Sequence, residues 1–244
     1  MKRIFTILAF TLSLSICHAQ ESVYLVSNPN TARWSYIETD SNGKMTATIF
    51  NSVESFVGDA VNGKIKMLVE EVPVASPNDT VRSFVFYRFK YGELMADISA
   101  MMTEDFFASS IEEKYPELTE EQRKEVLNEL QSMYTTGEIR GIPRYPKTGK
   151  LPDYEFQFKL SIINMKVVGE ERRIVGTEKI QTGAGAFDCF IIEEKITSKI
   201  MVMKDVEKIR SWYAYGIGLV KEVTYDKNGK LVSTMILNEI TDIH

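Results

Sequence analysis

Cysteine and histidine are almost missing from this chain of 244 residues, which carries two of each. The cysteines are Cys17 and Cys189; the histidines are His18 and His244, the last residue. Ser-His-Asp and Cys-His catalysis need an imidazole base, and beyond the N-terminal stretch only His244 could supply one. Zinc sites built on His and Cys lack their ligands. Basic charge is scarce too. Lys+Arg is 29 against 34 Asp+Glu, a net charge of −5, which weighs against nonspecific binding to nucleic acid or anionic headgroups. No low-complexity run occurs, and no segment after the first is apolar enough to span a bilayer as a helix. No cofactor motif is found. What chemistry remains would rest on carboxylates, Tyr, Lys or Arg.

What is present begins with an address. In residues 1–19, Lys2 and Arg3 precede a short apolar run from Ile4 to Ile16, and Cys17 and Ala19 suit positions −3 and −1 of a signal-peptidase site. The expectation is a removed signal peptide over 1–19, a tether over 20–30, and an exported, periplasmic domain over 31–244. Lipidation at Cys17 would need a small residue before it, and Ile16 stands there instead. With Cys17 removed, Cys189 is alone and no disulfide is expected, so stability falls to the core.

Three hairpin signals share one pattern: Asn42-Gly43-Lys44, Asn62-Gly63-Lys64 and Asn228-Gly229-Lys230. Asn-Gly fits the two positive-φ positions of a type I′ turn, so strands are predicted near 33–40, 45–56, 64–72, 218–226 and 231–241. Asp40 and Asp226 precede two of these turns, but the later acidic ligands of a calcium loop are absent. In 81–91 (VRSFVFYRFKY) Phe84 and Phe86 alternate with Val85, Tyr87 and Phe89, which predicts a central strand covered on both faces. One further strand is predicted over 154–165, then others near 171–181, 187–203 and 207–215.

A capping box at Thr119-Glu120-Glu121-Gln122, with Val126, Leu127, Leu130, Met133 and Tyr134 at helical spacing, predicts a helix to residue 136, closed by Gly137. A shorter helix is predicted from Thr103 to Lys114, the two making a helical insertion over about 103–136. The Gly- and Pro-rich stretch 137–153 reads as a long exposed crossing loop. The fold class expected is mainly β (α+β). It is a single domain, a curled antiparallel sheet or half-barrel of about ten strands, with two helices packed on its concave face.

The C-terminal third resembles the TapB-like (domain-of-unknown-function-3108-like) exported bacterial proteins. The resemblance rests on Thr182-Gly183-Ala184-Gly185-Ala186-Phe187-Asp188-Cys189, Trp212-Tyr213-Ala214, Gly216-Ile217-Gly218-Leu219-Val220-Lys221, Tyr225-Asp226 and Gly229-Lys230-Leu231. It implies an exported β-rich domain, similar in shape to half-barrels that carry lipid or lipoprotein, and it implies no catalytic residues. Independently, Gly183 and Gly185 suit a tight connection with positive φ, and Gly216 and Gly218 suit a bulge or bend.

Among the paired acids, Glu193 and Glu194 must point to opposite faces of a strand. One of them would then face inward, paired across a strand by Lys195 or Lys199, as a polar anchor in a cavity. The residues expected to line a hydrophobic site are Phe84, Phe86, Met101, Phe106, Phe107, Met133, Phe156, Phe158, Met201, Trp212 and Tyr213; the same set also describes an ordinary core. Arg140, Arg144, Lys147 and Lys150 line the crossing loop. Cys189 reads as an inert core thiol, and Asp79-Thr80-Val81 as a weak O-glycosylation motif. The leading functional expectation is a non-enzymatic periplasmic carrier of a hydrophobic, lipid-like small molecule, with the helix 119–136 as a lid. The alternatives are an envelope module with a solid core that binds another protein, and, below both, a carboxylate-based hydrolase.

Overall fold

The computed structural model describes residues 33–59, 61–97, 100, 119–121, 134–160, 163–200 and 203–241. Strands dominate them. The first five are β1 (Arg33–Asp40), β2 (Met45–Gly58), β3 (Gly63–Pro73), β4 (Val81–Lys90) and β5 (Glu93–Ala96). Short strands follow at β6 (Tyr134–Gly137), β7 (Ile139–Arg140) and β8 (Gly149–Lys150). The remainder are β9 (Tyr154–Leu160), β10 (Ile163–Thr182), β11 (Gly185–Ile200), β12 (Met203–Ala214), β13 (Gly218–Asp226) and β14 (Leu231–Thr241). All belong to one sheet in the order β6-β9-β10-β11-β12-β13-β14-β1-β2-β3-β4-β5-β7, with β8 on β10.

The two ends of that order are consecutive in sequence. Tyr134–Gly137 pairs with β9, and two residues later Ile139–Arg140 pairs with β5. The stretch 134–140 therefore closes the sheet into a nearly complete barrel, leaving little free edge. Glu138, at the crossing, accepts from Arg88 and Lys90 of β4 at 2.6 and 2.8 Å. Gly137 (φ 80°) is required there, because a Cβ would collide with the Glu155 carbonyl.

This corrects the expected fold class. The sheet has fourteen strands and curls almost to closure, where about ten strands in a half-barrel with two helices on its concave face were expected. The helix 103–114 and most of 119–136 lie outside the described residues. At the end of the second, however, Tyr134–Gly137 is a strand, because its backbone is taken by β9. The stretch 137–153 is not simply an exposed loop: it holds β7 and β8, and Ile139, Ile142 and Leu151 are buried. The single strand predicted over 154–165 is two, β9 and β10, in a hairpin with Leu160 opposite Ile163. Gly216 and Gly218 lie in the hairpin between β12 and β13, with φ of 69° and 95°, and the nearby bulge falls at Trp212/Tyr213.

Two of the three Asn-Gly turns form where expected, but not as type I′ turns; at the third, Gly63 already belongs to β3, paired with Gly58, and is not a positive-φ glycine. At Asp40-Ser41-Asn42-Gly43 only the glycine has positive φ (78°). Gly43 N bonds the Asp40 carbonyl, and Asp40 N bonds the Lys44 carbonyl. This is a type I turn completed by a left-handed glycine. Asp226–Lys230 repeats it, with Gly229 at φ 81°. In both, the Asp Oδ1 accepts from the backbone N–H groups two and four residues on. These bonds, the largest influence, hold both carboxyls below the usual range.

Strand alternation sets what faces inward. Ile49, Asn51 and Val53 of β2, Ile65, Met67 and Val69 of β3, and Val85, Tyr87 and Phe89 of β4 are all buried. With Trp34, Tyr36, Phe190, Tyr213, Met235 and Leu237, all of these except Asn51 form the main apolar cluster. Strand β4 is covered on that face alone: Phe84 and Phe86 are half-buried, and Lys66 Nζ sits 3.9 Å over the Phe84 ring.

Candidate functional site

Inward-facing carboxyls gather on β11–β13, at Glu194, Glu207 and Glu222. Strand β10 reaches them through a bulge. Gly169 faces Ile196 and Ile174 faces Ile192, both buried pairs. The separation of 169 and 174 is odd, so strict alternation would put them on opposite faces. Register shifts between Glu170 and Arg173, with Glu171 in a left-handed conformation (φ 56°), resolve the mismatch. The consequence is that Arg172 turns inward and is 2% exposed.

Inside, every nitrogen of the Arg172 guanidinium has a partner. Nε donates to Glu194 Oε2 (2.8 Å), Nη1 to the Pro152 carbonyl (2.8 Å) and Nη2 to the Gly141 carbonyl (2.7 Å). The group lies 4.9 Å over the Tyr154 ring. Burial alone would lower the guanidinium pKa, but Glu194, Tyr154 and Glu93 raise it above its ordinary value. Tyr154 is fixed in turn by Gly169 directly opposite it on β10, whose missing Cβ would stand 2.3 Å from Cε1 of the ring. Glu194 is therefore the inward member of its pair, as alternation predicts, but its partner is Arg172, not Lys195 or Lys199. Glu193 faces outward to Arg173, at 2.8 Å, and Lys195 bonds Glu170 and Glu171.

Beside this pair lies a second carboxyl. Glu222 of β13 is opposite Ser211 of β12, whose Oγ donates to Glu222 Oε2 at 2.9 Å. Burial pushes the Glu222 pKa up to about 8; the Ser211 bond opposes this, and Glu194, Glu207 and Glu38 add to it. At neutral pH the group is mostly a carboxylic acid. Three tyrosines feel its charge. Tyr36 donates to the Leu219 carbonyl at 3.1 Å, and burial, then Glu222, pushes its phenol up. Tyr87 and Tyr154 are raised chiefly by burial, with Glu222 contributing to both.

The hydroxyls of Tyr87 and Tyr154 are buried and have no hydrogen-bond partner among the described residues. Nor do the side-chain amide of Asn51 or the indole N–H of Trp34, which face each other across β1 and β2. Native interiors leave few such groups unpaired, and here four residues of one inner face do so.

The aromatic and methionine residues expected to line a site are distributed differently. Tyr213 lies in the main inner cluster with Phe190, their rings stacked at 5.8 Å. Phe156 and Phe158 belong to a second cluster with Ile139, Val167 and Ile196. Trp212 belongs to a third, with Cys189, Ile191 and Val220; Arg210 and Lys221 flank its ring, and its N–H donates to Glu178 at 2.7 Å. Phe84 and Phe86 are on the outer face. Met101, Phe106, Phe107, Met133 and Met201 lie outside the described residues. Sequence reasoning passed over Tyr87 as a site residue, and Arg172, Glu222 and Tyr154 altogether; nothing in Glu170-Glu171-Arg172-Arg173 says which charge is inside. Cys189 is 1% exposed, and burial pushes its thiol up to about 12. Outside the barrel, a cleft of about 330 Å³ over β10–β13 is lined by Arg173, Glu193, Lys195, Lys208 and Arg210. Of the crossing-loop cations, Arg140 faces Glu93 at 3.8 Å, Lys150 faces Asp153 at 3.2 Å, and Arg144 packs on Tyr145.

The model of the family described as DUF3108-like matches residues 30–237. Two solved structures share the fold. A "putative lipoprotein" from Parabacteroides distasonis aligns with TM-score 0.61 and 16% identity, over 92% of this chain and all of that one. A "putative exported protein with YmcC-like fold" from Bacteroides fragilis aligns with TM-score 0.58 and 15% identity, over 94% of this chain and all of that one. None of the curated proteins is significantly similar to the sequence. No described helix is long and apolar enough to cross a membrane.

Proposed function

The chain belongs to the DUF3108-like family, and from that premise we propose that it is an exported binding protein which holds a lipid-like amphiphile inside its barrel. The apolar part of the ligand would pack on the inner aromatic and methionine side chains, and its polar end would meet Glu222, Tyr87 and Tyr154. The observation that carries this reading is the pair of unpartnered buried hydroxyls beside a buried acid. Leaving such groups dry and unpaired costs about 1–3 kcal/mol each. A ligand, or bound water, would recover that. In this reading the mainly apolar site expected from the sequence, with its few polar contacts, has a distinct polar end, because the barrel wall carries ionisable groups among its apolar residues.

We read the protein as non-catalytic. Glu194 is held by Arg172, and Glu222 by Ser211, so these two inward carboxyls already have a structural partner. A second reading, a solid-cored module that binds an envelope protein, draws support from tight inner packing: Tyr36, Met67, Val85 and Leu237 are no more than 1% exposed.

Native mass spectrometry of the protein purified from its own periplasm, followed by organic extraction, separates the two. A co-purifying amphiphile in near-stoichiometric amount is expected. Ligand-free protein at full occupancy, with ordered water on Tyr87 and Tyr154 in a crystal structure, would leave the interaction module standing.

A further inference from the structure

We propose that the head group held inside the barrel is uncharged and hydroxyl-bearing, as in a monoacylglycerol or a long-chain alcohol, and that anionic amphiphiles are rejected. This rests on the binding reading above and names its ligand class.

The argument is a matching of donors, acceptors and charge. A carboxylate or phosphate taken out of water needs a cation or several convergent N–H donors. Arg172 is the one buried cation among the described residues. All three of its nitrogens are committed, to Glu194, Pro152 and Gly141, and Tyr154 covers a face of it. The charge around the site is otherwise acidic, since Glu194, Glu207 and Glu38 all act on Glu222. An environment that resists ionisation of its own carboxyl resists a ligand carboxylate for the same physical reason.

Three guanidinium Nε groups, of Arg88, Arg144 and Arg210, are also buried without a partner, but those side chains are engaged with Glu138, Tyr145 and the outward-facing Glu193; the groups left over on the inner face are of a different kind. The Tyr87 and Tyr154 hydroxyls each donate and accept, Asn51 offers both an N–H₂ and a carbonyl oxygen, and Trp34 offers an N–H. A ligand hydroxyl is likewise donor and acceptor, so a vicinal diol can satisfy two such groups without bringing charge into the barrel. A site built to bond a hydroxyl discriminates strongly against an analogue lacking it, because its own buried groups would stay unpaired.

The test uses the full chain at pH 7 and two probes with the same acyl chain, 1-monooleoylglycerol and sodium oleate, both below their aggregation thresholds, with affinity read by titration calorimetry. Monooleoylglycerol is expected to bind about tenfold more tightly than oleate or better, the scale of one buried hydrogen bond. In a Tyr87→Phe/Tyr154→Phe variant, affinity for monooleoylglycerol should fall by a similar factor, while oleate binding stays as it was. That variant removes only unpartnered hydroxyls, so its melting temperature should hold or rise, which separates loss of binding from loss of fold. Oleate binding as tightly as monooleoylglycerol, or indifference of the double variant, overturns the head-group assignment and leaves the carrier intact. If neither probe binds, the carrier reading falls and this inference with it.

Discussion

Arg172 and Glu194 face each other inside the barrel, with Nε 2.8 Å from Oε2 and side chains 3% and 11% exposed. The pair joins the long β10–β11 hairpin to the crossing segment, because the same guanidinium also bonds the carbonyls of Gly141 and Pro152. Removing either partner strands a buried charge. Arg172→Met should destabilise the protein by about 3–5 kcal/mol, and Glu194→Leu by a comparable amount. The double substitution should cost clearly less than the two together, because no lone charge remains. Urea unfolding of the four proteins at pH 7 measures this, and strict additivity would show that the pair is not coupled.

Glu222 makes stability depend on pH. Its folded pKa, near 8, lies above the ordinary carboxyl value of 4.5. The folded state therefore keeps the proton over a range where the unfolded chain has lost it. The contribution is complete below about 4.5, declines as pH rises, and is gone once pH passes 8. Through this window the wild type should lose on the order of a few kcal/mol relative to Glu222→Gln, which cannot ionise. Thermal melts of both proteins from pH 5 to pH 9 should diverge with rising pH; parallel curves would rule out a buried, titrating Glu222.

Gly169 is a seat for the Tyr154 ring. An alanine Cβ at 169 would stand 2.3 Å from both Cε1 and Cζ of that ring, so the ring, and the Arg172 resting on it, must move. Gly169→Ala should cost about 1–3 kcal/mol, as for overpacking of a filled core. Gly169→Ala/Tyr154→Leu should recover part of the loss, because the obstructing ring is gone. No recovery would mean that the glycine serves some other need.

Cys189 should be silent as a thiol. It is 1% exposed and its Sγ donates to the Phe187 carbonyl at 3.5 Å; with its pKa near 12 the thiolate is rare at neutral pH. Ellman's reagent at pH 8 should label it only as fast as the protein unfolds, and fully in urea. Rapid labelling of the native protein would contradict the described packing.

Local chemistry in the sequence was enough to determine the β-rich class, the family, and two hairpins. Asp-x-Asn-Gly acts within five residues, and Phe84 to Phe89 alternate whatever pairs beside them. Even there the turn is not the type I′ that Asn-Gly suggests, because Asn-Gly alone does not say whether Asn42 or only Gly43 takes a positive φ. Alternation also required that one of Glu193 and Glu194 point inward. Long-range pairing decided the rest. Whether the sheet stays open or closes depends on residues 134–140 choosing β9 and β5 as partners, and a helical-looking stretch offers no sign of that choice. Which of four consecutive charges is buried depends on the bulge at Glu171, and that bulge is set by the register of β10 against β11, which no neighbour in sequence encodes.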